Sequence, residues 1–392
     1  MKVLYDSHVF DRCRFGGISQ YYAKIWSNFG DEIKPQLSIL ESENLHLREC
    51  GFAFPEPRRT FRAFLPNVSF RGKHCLYRFL GRLFPFAFSG SERLNECNFK
   101  RLVSKGDYDL IHLTGVHGNE WVFEKCIRIH KPVIVTCFDL IPELYHGDKT
   151  IQREHSYAYT MATHIIAISE NTKKDLCNFY NVSEDRVSVV YLGGNMQPVA
   201  KTEFDNFVGD DRYILYVGNR AGYKNFTFFA RAIAPIVKDS SLKVFCTGLA
   251  FSKTELDLLE QLGVRSKFIQ NFVSDEQLRN LYHYALAFVY PSLHEGFGIP
   301  ILDAFAGGCP TLLSNATCFP EVGGDAALYF NPKDENDFRR QLMRVIGSDE
   351  ESRKLRADLV ARGRERVKMF TWKKCAEDTA AVYQNVVKCF GR

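Results

Sequence analysis

A chain of 392 residues, with 45% hydrophobic and 25% charged residues, is too long for one ordinary core and too apolar for a disordered segment. Two domains of roughly 150–200 residues are therefore expected. A net charge of +5 excludes a dedicated nucleic-acid-binding balance, yet leaves room for attraction to phosphorylated ligands or an anionic membrane.

The twelve cysteines run from Cys13 to Cys389 with no Cys-x-x-Cys pair, which reads as reduced thiols in cytosol rather than a disulfide framework. The opening MKVLYDSHVF has the pattern of a strand and not of a secretory signal. No run approaches the roughly 20 apolar residues of a membrane span. The expected location is cytoplasmic, with at most peripheral membrane contact.

In chain order, short β-branched or apolar runs alternate with helical patterns, as in parallel sheets covered by helices. Strands are expected at Lys2–Tyr5, Leu110–Leu113, Val133–Cys137, His164–Ile168 and Val187–Tyr191. After the first of these, Ile18, Tyr22, Ile25 and Phe29 share one helical face. A polar stretch around Pro198–Asp211 reads as a linker. The pattern restarts at Tyr213–Val217 and continues with Lys243–Thr247, Lys267–Gln270, Ala287–Tyr290, Thr311–Ser314 and Ala327–Phe330. Helices are expected at Asp275–Ala285, at Pro300–Ala306 and from about Trp372 to Val387. Two sheets, each opening with a strand and a glycine-bearing turn, imply two Rossmann-like domains.

Three segments carry the chemistry. In PSLHEGFGIPILDAFAGGCP (Pro291–Pro310) a strand runs into a turn bearing Gly296 and Gly298, and a helix follows with Pro300 in its first turn. Such a turn leaves backbone N–H groups free for an anion or a sugar hydroxyl. Glu295 in the turn and Asp303 a helical turn later could meet a sugar and a ribose. The plainer alternative is a strand–turn–helix corner with solvated acids. In YVGNRAGYKNF (Tyr216–Phe226), Arg220 and Lys224 follow Gly218 and would form a cationic clamp for a diphosphate if both enter the cleft. Surface charges near a helix start are the alternative. In FGGISQYY (Phe15–Tyr22), Gly16 and Gly17 would let backbone approach a ligand at a helix N-terminus.

Together these segments resemble glycosyltransferase family 4, the retaining enzymes of the GT-B fold. The resemblance implies an α/β architecture of two Rossmann-like domains around a deep cleft, with a C-terminal helix crossing back to the N-terminal domain. The implied N-terminal acceptor-side domain spans 1–200 and is completed by 371–392. The nucleotide-sugar domain spans 211–370. The family's Glu-x7-Glu element is matched by Glu295 and Asp303, its Arg…Lys pair by Arg220 and Lys224, and its Gly-Gly loop by Gly16–Gly17. IIAISENTKKDL (Ile165–Leu176), FVSDEQLRNLYHYA (Phe272–Ala285) and FTWKKCAEDTAAVYQNV (Phe370–Val386) are also similar to family segments. By that resemblance Glu295, Arg220 and Lys224 would be catalytic. Gly16, Gly17, Phe138, Asp139, Phe272, Val273, His294, Gly296, Phe297, Gly298, Ile299 and Asp303 would bind the donor. No metal or other cofactor is expected, since no Asp-x-Asp element stands out.

Two departures qualify the match. Asp303 is one methylene shorter than the family's Glu. In VTCFDLIPEL (Val135–Leu144) the family's His-Asp is Phe138-Asp139. Phe cannot hydrogen-bond a C6 hydroxyl, so an apolar wall there suits a 6-deoxyhexose, with mannose held another way as the alternative. The expected donor is GDP-linked and the acceptor a glycan or lipid-linked glycan of cell-surface polysaccharide synthesis.

Between Pro57 and Ser91 there is no acidic residue, and arginines interleave with aromatics. That mixture suits an anionic membrane surface, or a basic helical hairpin packed on the first domain. It also resembles an RNA-binding patch, although no nucleic-acid partner is expected. A non-catalytic sugar-nucleotide-binding protein and a same-fold epimerase remain open.

Overall fold

The computed structural model describes residues 1–55, 91–116, 118–194, 212–220 and 222–391. The expected linker at 198–211 and nearly all of the basic–aromatic segment lie outside these residues.

The first lobe holds β1 (Lys2–Tyr5), β2 (Lys34–Leu37), β3 (Leu110–Leu113), β4 (Val133–Cys137), β5 (His164–Ala167) and β6 (Val187–Val189). They form one parallel sheet in the order β2-β1-β3-β4-β5-β6. The second lobe holds β7 (Tyr213–Tyr216), β8 (Lys243–Thr247), β9 (Phe268–Asn271), β10 (Ala287–Tyr290), β11 (Thr311–Ser314) and β12 (Leu328–Phe330). Their order is β9-β8-β7-β10-β11-β12, again parallel throughout. In each sheet the chain winds first to one side of its opening strand and then to the other. The crevice left at the carboxyl ends of β1/β3 and of β7/β10 is where such sheets bind ligands.

The central strands are apolar on both faces because helices cover both, and β1, β3, β4, β7 and β10 are buried almost throughout. The edge strand β2 was not among the expected strands. Its sequence KPQL, half exposed and carrying a proline, has the marks of a sheet edge and no apolar run to announce it. The helix Gly17–Asn28 buries Tyr21, Tyr22, Ile25 and Trp26, whereas Ile18 is 40% exposed. The expected face therefore fails in its first turn, which stands beside an open cavity lined by Gly16, Gly17 and Gln20. The helix Ile299–Gly307 starts one residue before Pro300, on Gly298 at φ 90°, a conformation that glycine adopts without strain.

The closing helix Trp372–Phe390 leaves the second lobe and packs on Gly17–Asn28 of the first. A buried polar chain fixes it there. Tyr383 Oη lies 2.8 Å from Tyr5 Oη and 2.5 Å from His112 Nδ1, and His112 Nε2 lies 2.9 Å from Thr136 Oγ1. One apolar cluster runs from Tyr5, Tyr22 and Trp26 through Phe370 and Trp372 to Phe297, Leu302 and Phe319, so both lobes share it. The outgoing and returning stretches of chain touch, with Gly194 N–H donating to Phe370 O at 3.0 Å.

Candidate active site

The turn after β10 brings its acid to the base of the cleft. Glu295 is 8% exposed, and its Oε1 accepts from Lys224 Nζ at 2.6 Å. The same ammonium donates to Tyr290 Oη at 3.2 Å and lies over the rings of Tyr223 and Tyr290. Glu295 N–H donates to Thr317 Oγ1 at 3.3 Å. Thr317 has φ 48°, the left-handed region, which strains a β-branched residue and recurs where a site over-determines its backbone. Glu295 is thus buried and paired with a largely buried Lys224.

From the first lobe, the β4 exit places Phe138 and Asp139 against this turn. Gly296 has room for no side chain there: a Cβ would sit 3.0 Å from Phe138 C and 3.2 Å from Asp139 Cβ. Burial pushes the Asp139 carboxyl above its ordinary range, and the neighbouring Glu295 charge adds to the effect. Phe138 is met edge-on by Tyr21 and Tyr22, at ring separations of 5.3 and 6.2 Å, which gives the site an aromatic wall.

Arg220 follows the same strand as Lys224 and makes its own set of contacts. Its Nε donates to Glu255 Oε1 at 2.9 Å, its other nitrogens to the carbonyls of Thr247, Leu249 and Ala250, and its guanidinium covers Phe251. The side chain is 4% exposed. In this arrangement it braces the loop after β8, while Lys224, the other member of the expected diphosphate clamp, pairs with Glu295. His294 turns toward the first lobe, with Nε2 3.3 Å from Asp175 Oδ2. Phe297 is buried against Tyr191 and Phe370.

The remaining residues meet in a cavity of about 440 Å³ between the lobes. Gly16 and Gly17 border it from the first lobe, and Phe272, Val273, Ile299 and Asp303 from the second. A Cβ on either glycine would meet nothing within 4 Å, so backbone here is open to close approach, and the Gly16 N–H donates to His46 Nε2 at 3.5 Å. Sequence reasoning missed Phe15, His46 and Glu49 on one side of the cavity, and Arg279 and Tyr282 on the other. Tyr282 Oη is buried without a hydrogen-bond partner. No periodicity announces which residues of a helix overlook a cleft formed by another lobe.

The lobes are pinned beside the site. Gly296 O accepts from Ser169 Oγ at 2.7 Å and Thr172 Oγ1 at 3.2 Å. Glu321 accepts from the Glu170 and Asn171 amides at 2.6 and 3.3 Å, so a second-lobe carboxylate caps the first-lobe helix Glu170–Tyr180. That geometry satisfies first-turn N–H groups and suits the positive end of the helix. Among the described residues no three His, Cys, Asp or Glu side chains gather as a metal set, and no helix is long and apolar enough to cross a membrane.

Two facing parallel lobes closed by a returning helix define the GT-B class of fold. The family model for glycosyl transferases group 1 matches residues 200–366, and that for glycosyltransferase family 4 matches 52–197. Between them they span most of the chain, which belongs to these glycosyltransferases. It is similar to the O-antigen chain mannosyltransferase B of Escherichia coli, 28% identical over 269 residues, 65% of this chain and 68% of that one. It is also similar to the O-antigen chain mannosyltransferase RfbU of Salmonella typhimurium, 28% identical over 218 residues, 54% of this chain and 60% of that one. HepE from Anabaena, solved with UDP and glucose, superposes with a TM-score of 0.68 at 16% identity, covering 98% of this chain and all of that one. The sucrose-phosphate synthase of Thermosynechococcus elongatus gives the same score and identity over 99% of each chain. At such identity these two speak for the fold alone.

Proposed function

We propose that this glycosyltransferase moves a hexosyl unit from a GDP-sugar to a glycan or lipid-linked acceptor in cell-surface polysaccharide synthesis, with retention and without a metal. The observation that carries the reading is the largely buried Lys224–Glu295 pair at the switch point of the second sheet, faced across the cleft by Asp139. The names of the O-antigen mannosyltransferase relatives support a hexose as the transferred unit and O-antigen synthesis as the process.

Breaking the bond from the anomeric carbon to the diphosphate oxygen builds negative charge on the leaving group and positive charge on the ring. Stabilising that leaving group is the main electrostatic task. The arriving diphosphate competes with Glu295 for Lys224, which places the ammonium on the charge that develops and frees Glu295 for a sugar hydroxyl. The amides at Gly16–Gly17 meet the diphosphate from the other lobe. The acceptor oxygen attacks the anomeric carbon from the face the diphosphate leaves, and its proton passes to the departing phosphate oxygen. Asp303 meets the ribose.

Mannose is the donor sugar that the relatives favour, and the Phe138 wall favours a 6-deoxyhexose, whose methyl replaces the C6 hydroxyl. Turnover with GDP-mannose, GDP-6-deoxyhexoses and UDP- and dTDP-sugars, each with and without acceptor, tests the proposal. Clear preference for GDP-mannose removes the 6-deoxy reading. Product without acceptor makes the protein an epimerase or hydrolase, and binding without turnover makes it a sensor. Sedimentation with anionic liposomes tests membrane contact through 57–91; no binding at low salt removes it.

A further inference from the structure

Two large apolar rings stand in water at the same cavity. Phe15 is 63% exposed and Phe272 is 71% exposed, and both line the 440 Å³ space between the lobes. They come from different lobes. Phe15 immediately precedes Gly16–Gly17, and Phe272 immediately follows β9. Leu278 and Ile299 supply further apolar lining, while Asp303 stands at the same cavity. Isolated exposed phenylalanines are ordinary, but two facing one cavity from separate bodies offer apolar surface to a flat ligand on both of its faces. A planar heterocycle is such a ligand, and stacking on aromatic side chains works for any base because each has a π face.

We propose that Phe15 and Phe272 are the two jaws of a clamp on the nucleobase of the donor, one on each lobe, so that the base draws the lobes together. This rests on the reading of the cavity as the nucleotide site and goes beyond it by assigning the ring contacts and the closing force. A purine offers each jaw more area than a pyrimidine, so GDP gains more from the clamp than UDP.

The test is titration calorimetry of the full chain with GDP, UDP and ribose 5-diphosphate, the same ligand without a base. Phe15→Ala and Phe272→Ala should each weaken GDP about 10-fold, weaken UDP less, and leave ribose 5-diphosphate within about twofold. Phe272→Trp should keep GDP affinity. In X-ray scattering GDP should compact the wild-type protein, whereas ribose 5-diphosphate should not; Phe15→Ala saturated with GDP should stay open. Both rings are exposed, so unchanged melting temperatures should accompany the variants. Equal loss for GDP and the baseless ligand, or no loss for either, overturns the clamp. Failure of the wild type to bind any of the three overturns the nucleotide-site reading and the clamp with it, an outcome distinct from binding that ignores the rings.

Discussion

Gly296→Ala adds one methyl group at the tightest point between the lobes. That methyl would lie 3.0 Å from Phe138 C and 3.2 Å from Asp139 Cβ, with the Phe138 carbonyl oxygen nearer still. The obstacle is backbone, which cannot swing aside like the end of a side chain. Overpacking of this kind costs about 1–3 kcal/mol. The Gly296 carbonyl also accepts from Ser169 and Thr172, and weakening both bonds adds roughly 0.5–1.5 kcal/mol each. The sum is on the order of 2–6 kcal/mol, or a fall in Tm of roughly 4–24 °C for a lobe of this size. If the lobes instead part to relieve the strain, Asp139 retreats from Glu295, and a displacement of about 1 Å can lower kcat about 100-fold. Scanning calorimetry and initial rates read the two routes separately. Gly391→Ala serves as the control, since its Cβ would meet only an ordinary contact at 3.5 Å. A Gly296→Ala protein with wild-type melting and wild-type turnover refutes the close approach and the role assigned to it.

Four other substitutions follow from the structure. Lys224→Ala and Glu295→Gln should each lower kcat/KM roughly 10–100-fold, the worth of one charge-assisted hydrogen bond; nucleotide-sugar turnover that ignores both would sink the proposed chemistry. Arg220→Ala should act first on stability. It strands Glu255 in the first turn of the helix Lys253–Gln261, and removing one partner of a largely buried pair costs about 3–5 kcal/mol, so a raised KM at unchanged Tm would show that Arg220 reaches the diphosphate after all. His112 is held down to about 3 by burial, against an ordinary 6.5. The unfolded chain therefore takes up that proton first on acidification, and the stability linked to His112 is complete above pH 6.5 and lost as pH falls towards 3. Asp6 and Asp11, raised by burial to about 6 from 3.8, work in the opposite direction between pH 6 and 3.8. His112→Gln should flatten or invert the acid limb of Tm against pH; an unchanged limb would assign the acid sensitivity to other groups.

Much of the fold is legible in the sequence because strands buried on both faces read as continuous apolar runs. Val133–Cys137 and Ala287–Tyr290 stand where those runs stand. β2 escaped because an edge strand needs no such run. At the site, the glycine-bearing turns at Gly16–Gly17 and Gly296–Gly298 could be read locally, since a glycine's conformational freedom is a property of the residue. The partner of Arg220 could not. Glu255 lies 35 positions away on another helix and serves that helix's capping box as well. The same applies to Glu321, whose carboxylate closes a helix begun some 150 residues earlier in the other lobe. Ion pairs and caps that bridge elements depend on how those elements are stacked, and no local pattern records that.

The chain leaves the described part of the first lobe at Gly194 and returns to it through Phe370, and the hydrogen bond from Gly194 to Phe370 sets that exit and return side by side. A body tethered by neighbouring straps can swing about them far more readily than it can slide. Small angular changes near that axle barely disturb Tyr191 or Phe297, yet they grow along the lever arm towards surfaces remote from it. Engineering that stiffens the return through Phe370 should therefore alter how wide the mouth gapes while leaving each half's interior as it was.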